Sequence, residues 1–402
     1  MKNHIRRTLT IILVFCAICL SLEGMVHATP LSRDTRGSIL YVKPGDDGDC
    51  SDWDHACDLY DAVWSVSSGD EVRVAAGTYK QPTSDNRNLS YELISGVVYY
   101  GGFPTDGGDW SERNPVVNPT ILSGDIGVED DTSDNSYHVV YAYNVAETTI
   151  LDGFTITGGY ADGLYPDNSG GGMYNFNSSP TVSNVTFSGN YGNLGGGFCN
   201  DQSNPTVTYV TFTANSAIIG GGMYNDQSSP TVTNVTFSAN SVGYSGGGMF
   251  NVGDSTPILT NVTIYSNISA FVGGIHNENS HLTLINSIIW NNIVQIFIDT
   301  NSTSTVTYSN IEGGYTGEGN INAHPRLAPL AYNGGFTQTH AYDLYYRPGI
   351  DLGSPTVCPA TDQRGFFRPT DGNGDGTPRC DMGAYEYKSF KPLFSFLPVI
   401  FR

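Results

Sequence analysis

Asp201 and Asp226 sit in nearly the same pentapeptide, CNDQS and YNDQS, 25 residues apart. If each pentapeptide belongs to a strand and the two strands are neighbours, the carboxylates lie roughly 5 Å apart. At that separation one carboxyl can act as acid and the other as nucleophile on a glycosidic bond. The plainer reading makes both solvated turn residues, at a place where the preceding unit has Phe176. A second group, Asp371, Asn373 and Asp375 in DGNGDG, alternates like the start of a calcium loop. Its twelfth position is Met382, and Asp381 comes one residue early as a substitute ligand. The alternatives there are a structural calcium and a plain Gly/Asp turn. The acidic segment GVEDDTSDN, with Glu129, Asp130, Asp131 and Asp134, is either a further cation loop or a solvated insertion. Tyr174, Tyr224 and Phe250 recur at one place in the pattern and would form a carbohydrate-stacking strip if they face outward. Their neighbours Met173 and Met223 compete for the inside. In TDQRG, Arg364 is expected to bond nearby carboxylates or carbonyls.

The elements that must position these residues are read from repetition. Stretches beginning at Gly170, Gly195, Gly220, Gly246 and Gly273 are variants of one unit, and its Asn recurs at 175, 200, 225, 251 and 277. A period of 25 or 26 residues signals stacked coils. Apolar residues alternate within each unit, as in a strand. Val182, Val207, Val232, Leu259 and Leu284 form one column. Phe187, Phe212, Phe237, Ile264 and Ile289 form another. Val185, Val210, Val235 and Val262 form a third, lost at Ser287. Coils of this length with three short strands make an all-β parallel β-helix. A proline column (Pro180, Pro205, Pro230, Pro257) marks strand starts. Asn184, Asn234, Asn261 and Asn286 are expected at a bend, bonded in a ladder, with Tyr209 as the exception.

Residues 1–28 have the pattern of a secretory signal: Lys2, Arg6 and Arg7, then LTIILVFCAICLSL, then Val26-His27-Ala28 before cleavage. The apolar run is too short to span a bilayer, so a secreted or surface protein with no transmembrane span in the mature chain is expected. In an oxidising compartment, Cys50 and Cys57 suit one disulfide and Cys358 and Cys380 another. Cys199, inside a coil, reads as a lone structural thiol. A short helix over 59–66 is expected to cap the open first coil. The organisation is then signal 1–28, cap and first coil 29–80, β-helix 81–330, C-terminal cap or anchor-type region 331–387 and apolar tail 388–402, in a monomer. The tail is either a last strand or a sorting signal.

The chain has 18 Lys+Arg against 39 Asp+Glu, a net charge of −21 at pH 7. Nucleic acid and anionic membranes are disfavoured partners. Between Arg113 and Arg326 there is no Lys or Arg, while 16 acidic residues fall in that span. An acidic polysaccharide would meet no cationic clamp on these coils.

The pairing of GGG(M/F) with F-x-x-N (187–190, 212–215, 237–240) resembles the GGA(I/L/V) and FxxN repeats of the polymorphic outer-membrane protein adhesins. Gly replaces Ala here, Ile264 replaces one Phe, and the long C-terminal barrel region of that family is not among these residues. The segments 97–126, 135–159 and 286–387 resemble a group of secreted bacterial right-handed parallel β-helix proteins, the last with a choice-of-anchor-type end region. The resemblance implies a pectin-lyase-like fold and no settled activity. Pectate lyases of that fold need an Arg or Lys base beside a carboxylate-bound calcium, and residues 114–325 contain no such base. Polygalacturonases of related fold carry GHG and RxK strings, both missing here. The favoured expectation is therefore a non-catalytic surface protein for adhesion or glycan binding. The alternative is an extracellular polysaccharide lyase or glycoside hydrolase.

Overall fold

A computed structural model describes residues 37–82, 86–343 and 347–388. The signal segment and the tail beyond Lys388 lie outside the described residues. Short parallel strands follow one another around a common axis, and each pairs with the strand one unit on. Val182 pairs with Val207, Val207 with Val232, Val232 with Leu259 and Leu259 with Leu284. The Phe column is in register in the same way, with Phe187, Phe212 and Phe237 stacked at 4.9 and 4.7 Å between ring centroids. These side chains are fully buried. Removing each from water stabilises the stack by about 1.5–3 kcal/mol. The fold is a right-handed parallel β-helix, the hand that parallel crossovers adopt almost without exception.

The described strands form four sheets, of ten, nine, eight and five strands, rather than the three expected. The extra, five-stranded sheet contains Tyr191–Leu194, Ser216–Ile219 and Ser241–Ser245. Its sequences vary from coil to coil and lack apolar alternation, so periodicity did not mark them as strands.

The polar interior also differs from expectation. Asn184, Asn234, Asn261 and Asn286 do take left-handed φ at a bend. The continuous amide ladders, however, lie in two other columns. Asn175, Asn200, Asn225, Asn251 and Asn277 are linked by side-chain bonds of 2.6–3.1 Å. Asn190, Asn215, Asn240, Asn267 and Asn292 are linked by bonds of 2.8–3.0 Å. A buried amide needs partners for both ends, and only an identical residue one rung away supplies donor and acceptor at every level.

The helix Leu59–Ser65 covers the first coils, with Leu59, Ala62 and Val63 buried. Asp58 caps it, its carboxylate accepting from the N–H of Tyr60 at 2.9 Å. The Cys50–Cys57 bridge ties the loop before it. At the other end, residues 312–322 close the stack. Tyr315 packs on the core, and Asn320 Nδ2 donates to the Val306 carbonyl at 2.9 Å.

The C-terminal region therefore does not cap the last coil. From Arg326 it runs back along the outside of the nine-stranded sheet as a strap. Thr211 Oγ1 donates to the Gln338 carbonyl and Thr236 Oγ1 to Gln363 Oε1, both at 2.7 Å. Ser238 bonds His340 at 2.9 Å, and Asn234 and Asn261 donate to the carbonyls of Thr361 and Asp381 at 2.8 Å. Asn234, Asn261 and Asn286 of the left-handed column thus turn their amides outward to hold the strap, while Asn184 donates to Asp152 of the preceding coil. A second apolar cluster of Ile288, Trp290, Tyr342, Ile350 and Met382 seals the contact, and Cys358–Cys380 staples it.

Candidate functional site

Among the described residues, the strap's bonds are to the nine-stranded side, and the eight-stranded sheet presents a separate outer face. In each of its strands the first and third residues point into the core and the second and fourth point out. In Phe198–Asp201, for example, Phe198 and Asn200 are interior while Cys199 and Asp201 face outward. The glycine triplets deliver the chain to this sheet. Gly195 turns at φ 69°, and a Cβ on Gly197 would stand 2.7 Å from the next rung's carbonyl and 2.9 Å from the Phe212 ring.

Two outward columns result. The first runs Tyr141, Tyr174, Cys199, Tyr224, Phe250, His276 and Phe297. This column contains the proposed sugar strip, and the structure corrects that expectation. Tyr174 is 2% exposed, Phe250 4%, and Tyr224 is half-buried. Met173 and Met223 do take the interior, but the loop 162–169 covers Tyr174, His138 stacks on it at 5.2 Å, and Phe250 lies under His276 at 4.5 Å. Burial raises the Tyr174 and Tyr224 hydroxyl pKa values, so both stay protonated donors. Burial pushes His276 down to about 4; its Nδ1 is 2.6 Å from Ser245 Oγ. Cys199 is a free, buried thiol raised well above its usual range by burial, hence unreactive.

The second column runs Tyr143, Phe176, Asp201, Asp226 and Val252 in unbroken register. Asp201 and Asp226 are brought together as direct neighbours across paired strands. They are not free turn residues. Asp201 is only 9% exposed, and Asp201 Oδ2 accepts from the hydroxyls of Tyr165 at 2.7 Å and Tyr174 at 3.2 Å. Asp226 is half-buried, and its pKa is raised by burial first and by the charge on Asp201 second. Gly253 makes room for it: a Cβ there would lie 2.4 Å from Asp226 Oδ1. One carboxylate is fixed by two phenols, while its neighbour is biased toward the protonated form. That asymmetry is what an acid and nucleophile pair requires.

Next to this pair, Tyr143 and Phe176 form a platform that sequence reasoning did not single out. Their rings stack at 5.8 Å with planes 3° apart; Tyr143 is 54% exposed and Phe176 half-buried. The signal was present as YAY at 141–143 answered by YNF at 174–176, two aromatics at outward positions in successive strands.

The other candidates lie far from this face. Asp371 accepts the N–H groups of Gly374 and Gly376 at 2.7 and 3.0 Å, Asn373 that of Asp375, and Asp375 that of Thr377. Asp381 turns away from that loop. It is buried in the strap, accepting from the N–H groups of Asp351 and Tyr387 at 2.8 and 2.6 Å. Burial and then the charge on Glu386 raise its pKa. The four therefore do not converge, and no group of three or more His, Cys, Asp or Glu among the described residues is placed to hold a metal. Arg364 bonds Asp362 at 2.6 Å and the carbonyl of Glu386, inside the strap.

No helix among the described residues is long and apolar enough to cross a membrane. No known family profile matches this chain. No curated protein matches it either. Among solved structures, it is similar to the pectate lyase Pel9A, with 13% identity over 88% of this chain and 97% of that one and a TM-score of 0.48. It is also similar to a pectin methylesterase from Aspergillus niger, with 14% identity over 71% and 90% of the two chains and a TM-score of 0.35. Both likenesses are too distant to bear on activity.

Proposed function

We propose that this chain is a secreted glycan-binding β-helix that takes a neutral polysaccharide along the open face of its eight-stranded sheet. The observation that carries the reading is the Tyr143/Phe176 platform, continued in register by Asp201 and Asp226. Flat exposed rings offer apolar area to a sugar face at little entropic cost. The carboxylates on the next rungs, and the Tyr165 hydroxyl from the loop 162–169, offer hydrogen bonds to sugar hydroxyls. Rungs about 5 Å apart match the rise of a saccharide unit to within an ångström or so. Residues 114–325 supply no Lys or Arg, so the face favours a neutral ligand over an acidic one. Affinity electrophoresis of residues 29–402 against neutral and acidic polysaccharides tests this. Retardation by a neutral polymer, lost in Tyr143→Ala/Phe176→Ala, is expected. Retardation by none, or retention in the double variant, would overturn the reading.

A second reading, glycoside hydrolysis, is favoured by the raised pKa of Asp226 beside a phenol-held Asp201. New reducing ends from a neutral polysaccharide, abolished in Asp201→Ala and Asp226→Ala, would establish it. A lyase mechanism would need an Arg or Lys base, and residues 114–325, which include Tyr143, Phe176, Asp201 and Asp226, contain neither.

A further inference from the structure

The insertion between strands Thr120–Ser123 and Val140–Tyr143 holds the acidic segment GVEDDTSDN. It flanks a cavity of about 270 Å³ at the C-terminal ends of strands in the nine-stranded sheet, lined by Ser123, Asp125, Asp130, Thr132, Asn135 and Tyr160 among others. Two carboxylates shape the insertion itself. Asp134 Oδ2 accepts from the N–H of Val128 at 2.7 Å, and Asp131 Oδ1 accepts from the N–H and hydroxyl of Ser133.

The remaining oxygens are the unusual part. Asn135 is 5% exposed. Its Nδ2 donates to the Gly158 carbonyl at 2.7 Å, and its Oδ1 is buried with no protein donor. Asp125 Oδ1 is likewise buried without a donor, while Asp125 Oδ2 takes Lys80 Nζ at 3.2 Å from outside. Asp134 Oδ1 and Ser136 Oγ, in the same insertion, are also buried without partners. Buried polar atoms are nearly always satisfied, and Asp125 and Asn135, each with an unpaired oxygen, line the same cavity, where a cation would pair them.

We propose that this cavity is a calcium site, held by Asp125 Oδ1, the Asn135 side-chain carbonyl and the Asp130 carboxylate, with the hydroxyls of Ser123 and Thr132 and solvent completing the shell. Asp125 and Asp130 supply two carboxylates toward a divalent ion, the first of them shared with Lys80 Nζ. A mixed set of carboxylate, amide and hydroxyl oxygens in a roomy cavity suits calcium, which accepts six to eight oxygens in irregular geometry. It suits magnesium poorly, since that ion demands a tight octahedron. The ion would pin the insertion to Ser123 and Asn135 and so stabilise the early coils. The proposal is independent of the glycan reading.

Terbium luminescence on metal-stripped residues 29–402 tests it, because Tyr160 lines the cavity and can sensitise a bound lanthanide. The expected result is one sensitised site per chain, displaced by calcium at concentrations at least tenfold below magnesium. That site should be lost in Asp125→Asn/Asp130→Asn and kept in Asp371→Asn/Asp375→Asn. Asp130→Asn alone, at an exposed position, should weaken calcium tenfold or more without unfolding the chain. Calcium should also raise the thermal midpoint of the unaltered chain. Absence of sensitised emission at millimolar terbium, emission unchanged in either variant that carries Asp130→Asn, or loss in the Asp371/Asp375 pair would each overturn it.

Discussion

The nine-stranded and eight-stranded sheets come from the same repeated unit, yet their outer faces have opposite fates. On the nine-stranded sheet the outward Thr211, Thr236 and Thr263 are buried under the strap, each meeting a specific partner in it. On the eight-stranded sheet the fourth-position column ends in exposed Tyr143, half-buried Phe176 and the two carboxylates, with no strap over them. Small hydroxyls that recur with the period let a polypeptide lie flat and bond at every rung. Residues that break the period, with Phe176 giving way to Asp201 and Asp226, give a surface that varies along the axis, which is what a ligand with direction can read. Variation within a repeat is therefore a better pointer to function here than the repeat itself.

The largest effect should come from inside the strap. Arg368 lies 3.4 Å from Glu386, with both side chains wholly buried and Asp381 alongside. Arg368→Met leaves those carboxyls without their cation and should cost about 3–5 kcal/mol, read from urea unfolding. A loss below about 1 kcal/mol would mean the strap contributes little to the fold. Next, one column allows a like-for-like test. Thr236→Val strands the Oε1 of buried Gln363 and should cost about 1–3 kcal/mol. Thr186→Val, on the same column beyond the strap bonds, should stay within about 0.5 kcal/mol. Equal costs would erase the distinction between covered and open positions. On the open face, Tyr143→Ala/Phe176→Ala should leave the urea midpoint nearly unchanged. It should weaken glycan binding about tenfold or more, at about 1 kcal/mol per ring.

The smallest expected effect is a pH dependence at Asp226. Its folded pKa lies above the ordinary value of 3.8, so the native state holds its proton more tightly than the unfolded chain. Its contribution to stability is intact below that value and declines as pH rises through the folded pKa. Asp226→Asn should therefore be the more stable protein at pH 7, with the gap closing below pH 4. Urea midpoints at the two pH values check this, and a gap that widens on acidification would contradict it.

How much was legible beforehand varied with the kind of contact. Stacking columns were read correctly because a residue and its copy one coil later must meet if the coils stack. That constraint named the Val and Phe files and the neighbourhood of Asp201 and Asp226, while the choice between Met173 and Tyr174 for the interior stayed open until the structure placed Met173 and Met223 inside. Cysteine position and compartment likewise named both bridges, which the structure forms. The Tyr174 column was misjudged because alternation says which side of a strand a residue faces. It does not say what then covers that side: here a loop carrying Tyr165, and His138.

The sequence by itself determined the architecture, since a fixed period, alternating apolar residues and stacked asparagines leave a chain no other way to bury its interior. Only the tertiary structure decided which outer face is sealed and which is open. It also decided that Asp201 is held by two phenols, that Asp381 turns into the strap, and that Asn135 and Asp125, each with an unpaired oxygen, line one cavity. Those outcomes depend on how non-repeating segments pack against repeating ones and against each other, and contacts made by segments outside the repeat leave no periodic trace in the chain.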